Sequence, residues 1–466
     1  MKVKRFLILG FVLILMTGTL STQAATTQNS FAVEPWTLEI VDQSDNVLLG
    51  AGVSIDHYKR DGRAYISYYD YTNGNLKMAF EVTPGTGNCY NADWECQTID
   101  DSGDVGQYSS IDVFEAVLIK SNGIIFNYAK IGISYYNASW GDLKYAQRSC
   151  SETAFGIINC GWTVTTVDDE EGYSNGSYTS FQFLSNGTPI IYYHGQDFFN
   201  LGYVKRARLE GSVTGSCGNG WACDKIAQSS ADATYGSHIS ADGSMVAYYD
   251  GANGQLMLAT PSGTTYGSGC GLVNYWNCVV IDSGGFMSDV GKFVSLLSGD
   301  ATHPTQMAYY DAHSAIVKYA YATAGTGNCT NQNYICFTVD ISNDDDSIGI
   351  SMALDLEGSP IIVYQSKYDS QAPPALKIAR PAAAYGNLAG NCGEVPPGLT
   401  TQYWQCEFLD ADPDSYLAAY VDVSVSPAGL ASVAYFDYTT LADFTELGRL
   451  KVAQQHFPVY LPLIKR

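Results

Sequence analysis

The chain has 466 residues, of which 47 are acidic and 24 basic, giving a formal net charge of −23. That acidity repels nucleic acid and anionic lipid, so neither is expected as a partner. Twelve cysteines and 35 tyrosines mark the composition further.

The first five residues, MKVKR, are basic, and an unbroken apolar run follows over 6–16. Small and polar residues then lead to Ala24 and Ala25, the pattern of a secretory signal peptide, with cleavage expected near Ala24. Removing residues 1–24, which hold Lys2, Lys4 and Arg5 and no acid, takes the net charge from −23 to −26. The run is too short to leave a membrane span in the mature chain. Residues 25–35 form a polar leader. The mature protein is therefore expected to be secreted or held at the cell surface, as a monomer.

Residues 36–42, WTLEIVD, read as an isolated strand. At 66–79 stands ISYYDYTNGNLKMA, a β-hairpin: β-branched and aromatic residues run to Asp70, a Thr-Asn-Gly turn follows, and a second strand carries Lys77. The hairpin recurs at 133–146, 190–207, 246–259, 307–320, 362–379 and 433–453. Anchored on the second aromatic, the copies stand at Tyr69, Tyr136, Tyr193, Tyr249, Tyr310, Tyr364 and Phe436, 54 to 72 residues apart. A strand-built period of this length means a repeat architecture.

After each of the first six hairpins comes one cysteine pair: Cys89 and Cys96, Cys150 and Cys160, Cys217 and Cys223, Cys270 and Cys278, Cys329 and Cys336, Cys392 and Cys406. In an exported chain these read as six disulfides, each inside its own repeat. Zinc is the rival, disfavoured by two thiols per site and no histidine beside them. A further strand ending in Asp overlaps or follows each pair, at 94–100, 162–168, 276–282, 334–340 and 404–410; blade 3 has a degenerate version ending Lys225-Ile226-Ala227. The seventh repeat has no such strand, and the N-terminus supplies one with no hairpin before it. The two together close a ring and hide two raw sheet edges.

The expected fold is all-β: a seven-bladed β-propeller of four-stranded blades, the last closed by the N-terminal strand. The blades are expected over 52–100, 106–168, 176–227, 235–282, 290–340, 347–410 and 417–455 with 36–42. A tail, 456–466, follows. Blade 2 holds more strand than a hairpin needs. The repeats resemble those of secreted bacterial seven-bladed β-propellers with YYD…LKYA-type units and per-blade cysteine pairs. The resemblance covers 36–455 and implies the fold, not an activity. The Ser-x-Asp-x-Gly-x-Thr-Trp repeats of sialidases are absent, as are a nucleophile elbow, a phosphate loop and a dinucleotide fingerprint.

Four sets of residues could carry function. The strand-end carboxylates Asp70, Asp250, Asp311 and Asp437, with Asp42, Asp100, Asp168, Asp282, Asp340 and Asp410, fall on one face. There they either accept hydrogen bonds from the turns that follow or form a ring of oxygen ligands for Ca²⁺. No resident cofactor is otherwise evident. The histidines His194, His238 and His313 fall in one sector. They offer a metal or acid–base cluster for an exported hydrolase or lyase. Read from the second-aromatic anchor, Asp70 becomes Asn137, His194 and Gln365 in other blades. The 3/4 junction then loses carboxylates and gains His194 and Lys225, a less negative sector in which His194, Lys225 and His238 would contact a ligand beside the rings of Phe198 and Phe199. Tyr71, Trp140, Phe198, Phe199 and Tyr438 lie in the hairpin turns, where aromatic faces could stack on sugars. The favoured reading is a non-catalytic, lectin-like protein that binds a glycan or another cell-envelope component.

Overall fold

The structure is a computed structural model that describes residues 36–45, 49–209, 217–229, 232–263, 266–272, 275–285, 288–342, 349–366, 375–385, 389–396, 398–411, 416–440 and 446–456. The signal peptide, the leader and the tail beyond His456 lie outside the described residues. Among the described residues twenty-eight strands form seven antiparallel four-stranded sheets, and blades 1 to 6 add their strands in chain order from the axis outward. The blades run over 49–100, 105–168, 173–228, 237–282, 290–341, 350–411 and 416–455. Blade 7 takes its outer strand from Trp36–Asp45, which pairs with Glu446–Gln455 from Trp36↔Gln455 to Asp45↔Leu447. The chain is thus a seven-bladed β-propeller closed by its N-terminal strand. Among the described residues no helix is long and apolar enough to cross a membrane.

Six disulfides join the cysteines as the spacing predicts, one in each of blades 1 to 6. Cys89 is bonded to Cys96, Cys150 to Cys160, and Cys217 to Cys223. Cys270 is bonded to Cys278, Cys329 to Cys336, and Cys392 to Cys406. In all six pairs the second cysteine lies on the outer strand itself: Cys96 in Trp94–Asp100, Cys160 in Ile158–Asp168, Cys223 in Trp221–Gln228, Cys278 in Trp276–Asp282, Cys336 in Tyr334–Ile341 and Cys406 in Trp404–Ala411. Five of the bonds therefore pin the loop before the outer strand onto that strand, while Cys150–Cys160 joins the third strand of blade 2 to its outer strand. Among the described residues no cysteine is free, so the zinc alternative has no thiolates to use.

Two interlocking rings of polar contacts explain why the blades close. The inner ring lies at the axis. Each first strand carries a small acceptor that takes the backbone N–H of the next blade: Ser54 from Ile111, Ser110 from Phe181, Ser180 from Ala241, Ser240 from Leu296, Ser295 from Met352, Ser351 from Val423 and Asp422 from Ile55, at 2.9–3.3 Å. Net of hydration, such bonds stabilise by about 1 kcal/mol each. They satisfy inner-edge donors that no strand pairs.

The outer ring is built from the strand-end aspartates. Each reaches into the next blade and takes a tyrosine hydroxyl at 2.6–2.7 Å and a lysine ammonium: Asp42 with Tyr68 and Lys77, Asp100 with Tyr135 and Lys144, Asp168 with Tyr193 and Lys205, Asp282 with Tyr309 and Lys318, Asp340 with Tyr364 and Lys377, Asp410 with Tyr435 and Lys451. Burial and the facing carboxylate push each of these phenols well above the ordinary tyrosine range, so each stays a donor. Burial alone would raise the Asp100 and Asp282 carboxyls. The lysine and tyrosine contacts outweigh it and hold both below the usual carboxylate range.

The seventh latch, between blades 3 and 4, lacks both members of the ion pair. Strand register puts Ala227 where the others have Asp and Met257 where they have Lys. Tyr248 keeps its place, and its hydroxyl bonds that of Tyr235 at 2.9 Å. An ion pair has been exchanged for an apolar contact without leaving a buried charge behind.

The excess in blade 2 belongs to all its strands, Val105–Ile119, Ile125–Asn137, Asp142–Glu152 and Ile158–Asp168. The two hairpins project beyond the ring, clamped by a disulfide between the directly opposed Cys150 and Cys160.

Candidate functional site

Local structure disposes of the carboxylate ring first. Asp42, Asp100, Asp168, Asp282, Asp340 and Asp410 are consumed by the latches. Asp70 accepts from the N–H and side-chain amide of Asn73, Asp250 from Ala252 and Asn253, and Asp311 from Ser314. Asp437 is buried against Arg449 and Lys451. These are turn anchors and inter-blade ties, the first of the two readings offered by the sequence, and not an open ring of cation ligands. Asp168, Cys217 and Cys223 bring three potential ligand atoms within 4.8 Å of one another. Both sulfurs are in a disulfide and Asp168 is already held by Lys205 and Tyr193, so the donor set does not suit a metal.

The histidine sector also resolves into structure. Strand pairing aligns His194 with Tyr69, not with Asp70: Tyr69 faces Leu76, and His194 faces Val204. Gly195 occupies the Asp70 position. Gln365 likewise aligns with Tyr69, facing Leu376. Counting from the second aromatic shifts blades 3 and 6 by one residue, so the reading that His194 replaces a carboxylate is corrected. His194 is buried between Ser177 Oγ (2.8 Å from Nδ1) and the Ala233 carbonyl (2.9 Å from Nε2), and burial lowers its pKa to about 4. His238 belongs to the axis. It stands at the same repeat position as Tyr108, Tyr178, Phe293 and Tyr420, and these rings line the channel. Tyr108, Tyr178, His238 and Phe293 all have φ between 50° and 54°, and Tyr178 and Phe293 flank His238 at 4.6 and 4.4 Å. Burial lowers the His238 pKa to about 3. His313 is exposed on blade 5.

Lys225 is separated from both histidines in role. Its ammonium lies 4.0 Å above the Tyr203 ring and 4.7 Å above the Tyr173 ring, 3.1 Å from the Tyr173 hydroxyl. It aligns with Thr98, not with the latch aspartate. Phe198 and Phe199, in the nearby turn, are each 70% exposed, with ring centroids 3.9 Å apart. The five residues expected as one site therefore divide into His194 and His238, which both lie against the Tyr178 ring, and a rim group, Lys225, Phe198 and Phe199.

The rim group has company. Tyr71 is 60% exposed in the hairpin turn of blade 1, and Trp140 is 77% exposed in that of blade 2. These turns interlock with the inter-blade connections beside them: Val105 N–H donates to Gly74 O, Asp104 N–H to Ser139 Oγ and Asn175 N–H to Gly141 O. Asp101, Asp169, Glu170 and Glu171 lie exposed in those connections. Three consecutive blades thus present aromatic tips alternating with carboxylates. Tyr438, the fifth aromatic candidate, is half-buried on blade 7.

Sequence reasoning missed a cleft of about 420 Å³ between blades 5 and 6, lined by His303, Gln306, Tyr319, Tyr321, Phe337 and Tyr403. At its back the buried Trp404 indole N–H has no acceptor. Trp94 and Trp162 donate to Glu39 and Gln97 of the preceding blade, and Phe337 stands where those acceptors stand. Phe337 at that repeat position was the signal available.

No protein-family model matches the chain. The search of curated proteins found no match either. Among solved structures, the Saccharomyces cerevisiae core factor is similar at 10% identity, covering 93% of this chain and 63% of that one, with a TM-score of 0.43. The chain thus spans less than two thirds of that structure's length. An endo-arabinase from Bacteroides thetaiotaomicron is similar at 8% identity over 91% of this chain and 99% of that one, with a TM-score of 0.30. The hemagglutinin-neuraminidase ectodomain of parainfluenza virus 5 is similar at 8% identity over 71% and 78%, with a TM-score of 0.34.

Proposed function

We propose that this chain is an exported, non-catalytic binding protein whose ligand is a glycan or a similar polyhydroxylated cell-envelope component. Export is supported by the signal-peptide pattern at 1–24 and by the six disulfides. The observation that carries the binding reading is the rim of blades 1 to 3, where Tyr71, Trp140, Phe198 and Phe199 stand out of the ring between exposed carboxylates. Exposed rings suit the apolar face of a sugar, and carboxylates suit its hydroxyls. Nothing in the fold explains these rings, because blade 4 makes the same turn with Gly-Ala-Asn-Gly. The histidines give a hydrolase no comparable support, since His194 is buried with both ring nitrogens bonded and the half-buried His238 is packed between the Tyr178 and Phe293 rings.

A glycan array probed with the mature protein, with and without Ca²⁺, tests the reading. Binding is expected, and Trp140→Ala or the pair Phe198→Ala/Phe199→Ala should weaken it about tenfold, the equivalent of one lost ring contact of roughly 1.4 kcal/mol. A blank array from folded protein, or binding indifferent to all three substitutions, overturns it.

A further inference from the structure

Blade 3 differs from its neighbours at one more point, and the two changes there are matched. The residue pair that joins the start of the first strand to the end of the second is Leu49↔Asp70, Val105↔Asn137, Val290↔Asp311 and Leu417↔Asp437 in other blades. In blade 3 it is Asn175↔Gly195. An apolar residue has become a carboxamide, and the polar side chain opposite has vanished. The space opened is filled by Lys205: a Cβ on Gly195 would lie 2.8 Å from Lys205 Cδ and 2.6 Å from Asn175 Oδ1.

The result is a buried lysine against a buried asparagine. Lys205 Nζ lies 3.1 Å from Asn175 Oδ1, and neither residue reaches solvent appreciably. The Asn175 Nδ2 is buried with no hydrogen-bond partner. The same ammonium is 2.6 Å from Asp168 Oδ2 and 3.2 Å from Glu170 Oε2. The Tyr173 and Tyr193 rings cover it at 5.3 and 5.6 Å. An amine, a carboxamide and a proton-accepting carboxylate are thus held together away from water. That is the arrangement in which proximity alone replaces a large part of an activation barrier.

We propose that Lys205 and Asn175 are a modification site, joining spontaneously into an isopeptide bond between the first and third strands of blade 3. The Lys205 ammonium gives one proton to Asp168, and the freed Nζ lone pair attacks Asn175 Cγ. A second Nζ proton passes to Nδ2, the Cγ–Nδ2 bond breaks, and ammonia leaves carrying the proton returned by Asp168. One C–N bond forms and one breaks, and the net products are a secondary amide and an ammonium ion. No oxidant, reductant or cofactor enters. Among the described residues the latch lysines of blades 1, 2, 5 and 7 lack the electrophile, since Leu49, Val105, Val290 and Leu417 occupy the Asn175 position there. The bond would tie down the blade whose far junction has lost its ion pair.

Intact-mass and peptide-mapping measurements on the purified, fully reduced full-length mature protein decide this. The expected mass is below the sequence mass by one ammonia, with a cross-linked peptide containing both Asn175 and Lys205. Asn175→Ala and Lys205→Met should each restore the sequence mass, a readout that does not depend on either variant folding. Wild-type protein at its sequence mass, with Asn175 and Lys205 recovered on separate peptides, overturns the proposal. So does conversion of Asn175 to aspartate, which would mean that the carboxylates serve water and not the lysine.

Discussion

The natural exchange at the 3/4 junction supplies a stability experiment for the other six. Asp100 and Lys144 are both buried at the 1/2 junction, where Lys144 also contacts Ser102 Oγ at 2.8 Å. Asp100→Ala leaves the ammonium with that hydroxyl alone, and Lys144→Met leaves the carboxylate with the Tyr135 hydroxyl. Breaking a buried pair from either side costs about 3–5 kcal/mol, most of it the uncompensated charge. For a ring of about 420 residues the unfolding entropy near the midpoint is roughly 0.9 kcal/mol/K, so each single change should lower Tm by about 3–6 °C. The double variant Asp100→Ala/Lys144→Met reproduces Ala227 and Met257. It strands no charge, and its remaining cost is the Tyr135 hydroxyl, about 1–3 kcal/mol. Tyr235, which partners Tyr248 at the natural exchange, aligns with Val105 here, so that hydroxyl finds no substitute.

Calorimetry of the four proteins under oxidising conditions measures the cycle. The double variant should be more stable than either single, a coupling of several kcal/mol. If the double variant loses the sum of the two singles, or if Asp100→Ala leaves Tm unchanged, the latch is not the inter-blade tie described.

Acid should destabilise the ring partly through its buried histidines. His57, between Ser424 and Ser432 Oγ, and His194 have their pKa lowered to about 4 by burial, and His238 to about 3. The unfolded chain therefore binds more protons between about pH 6.5 and 4, so the histidine contribution is present at neutral pH and is lost as pH falls through that window. His238→Phe, which copies Phe293, should leave Tm near neutrality within about a degree and reduce its fall between pH 7 and 4.5; an unchanged pH profile refutes the assignment. The buried Asp56 carboxyl is raised well above its usual value by burial and by Asp112. Its contribution runs the other way, favouring the fold at low pH and opposing it as pH rises, so Asp56→Asn should stabilise near neutrality and gain nothing at pH 3. Replacing Cys89 and Cys96 by serine opens a seven-residue separation and should cost about 2–3 kcal/mol while leaving the fold intact by circular dichroism.

The fold was legible because each level of the sequence repeats the same instruction. The hairpins set the strands, the cysteine pairs mark the outer turns, and the displaced WTLEIVD strand dictates closure. The register in blades 3 and 6 was less legible, because YYH and VYQ present two candidates for the same place. What fixes it is a contact between blades, the tyrosine hydroxyl on the preceding blade's aspartate. Aligning on Lys77, Lys144, Lys205, Lys318, Lys377 and Lys451 would have found it, since each lysine pairs directly across from the latch tyrosine. The rim aromatics were legible as turn residues. The cleft between blades 5 and 6 was not, because it arises from one phenylalanine replacing a side-chain acceptor on a neighbouring blade.

Departures from a repeat do mark where a molecule has been altered, but they divide by whether a partner has changed with them. Ala227, Met257 and Tyr235 depart together and exchange one stable contact for another. Asn175 and Gly195 depart together and bring an amide to a lysine. Each set finds its contacts inside the protein and adds no exposed surface. His194 belongs with these: it stands for a tyrosine and still finds two partners. Trp140, Phe198 and Phe199 are changes of the other kind. They stand in turns that glycine and asparagine complete elsewhere, and most of their surface remains in water. Exposing them gains the fold nothing, because transfer of an aromatic ring out of water is the favourable direction. A compensated departure is explained by stability, whereas an uncompensated one is explained by a surface that the isolated chain does not contain. On that criterion the glycan site we propose belongs on the rim of blades 1 to 3, away from the histidines.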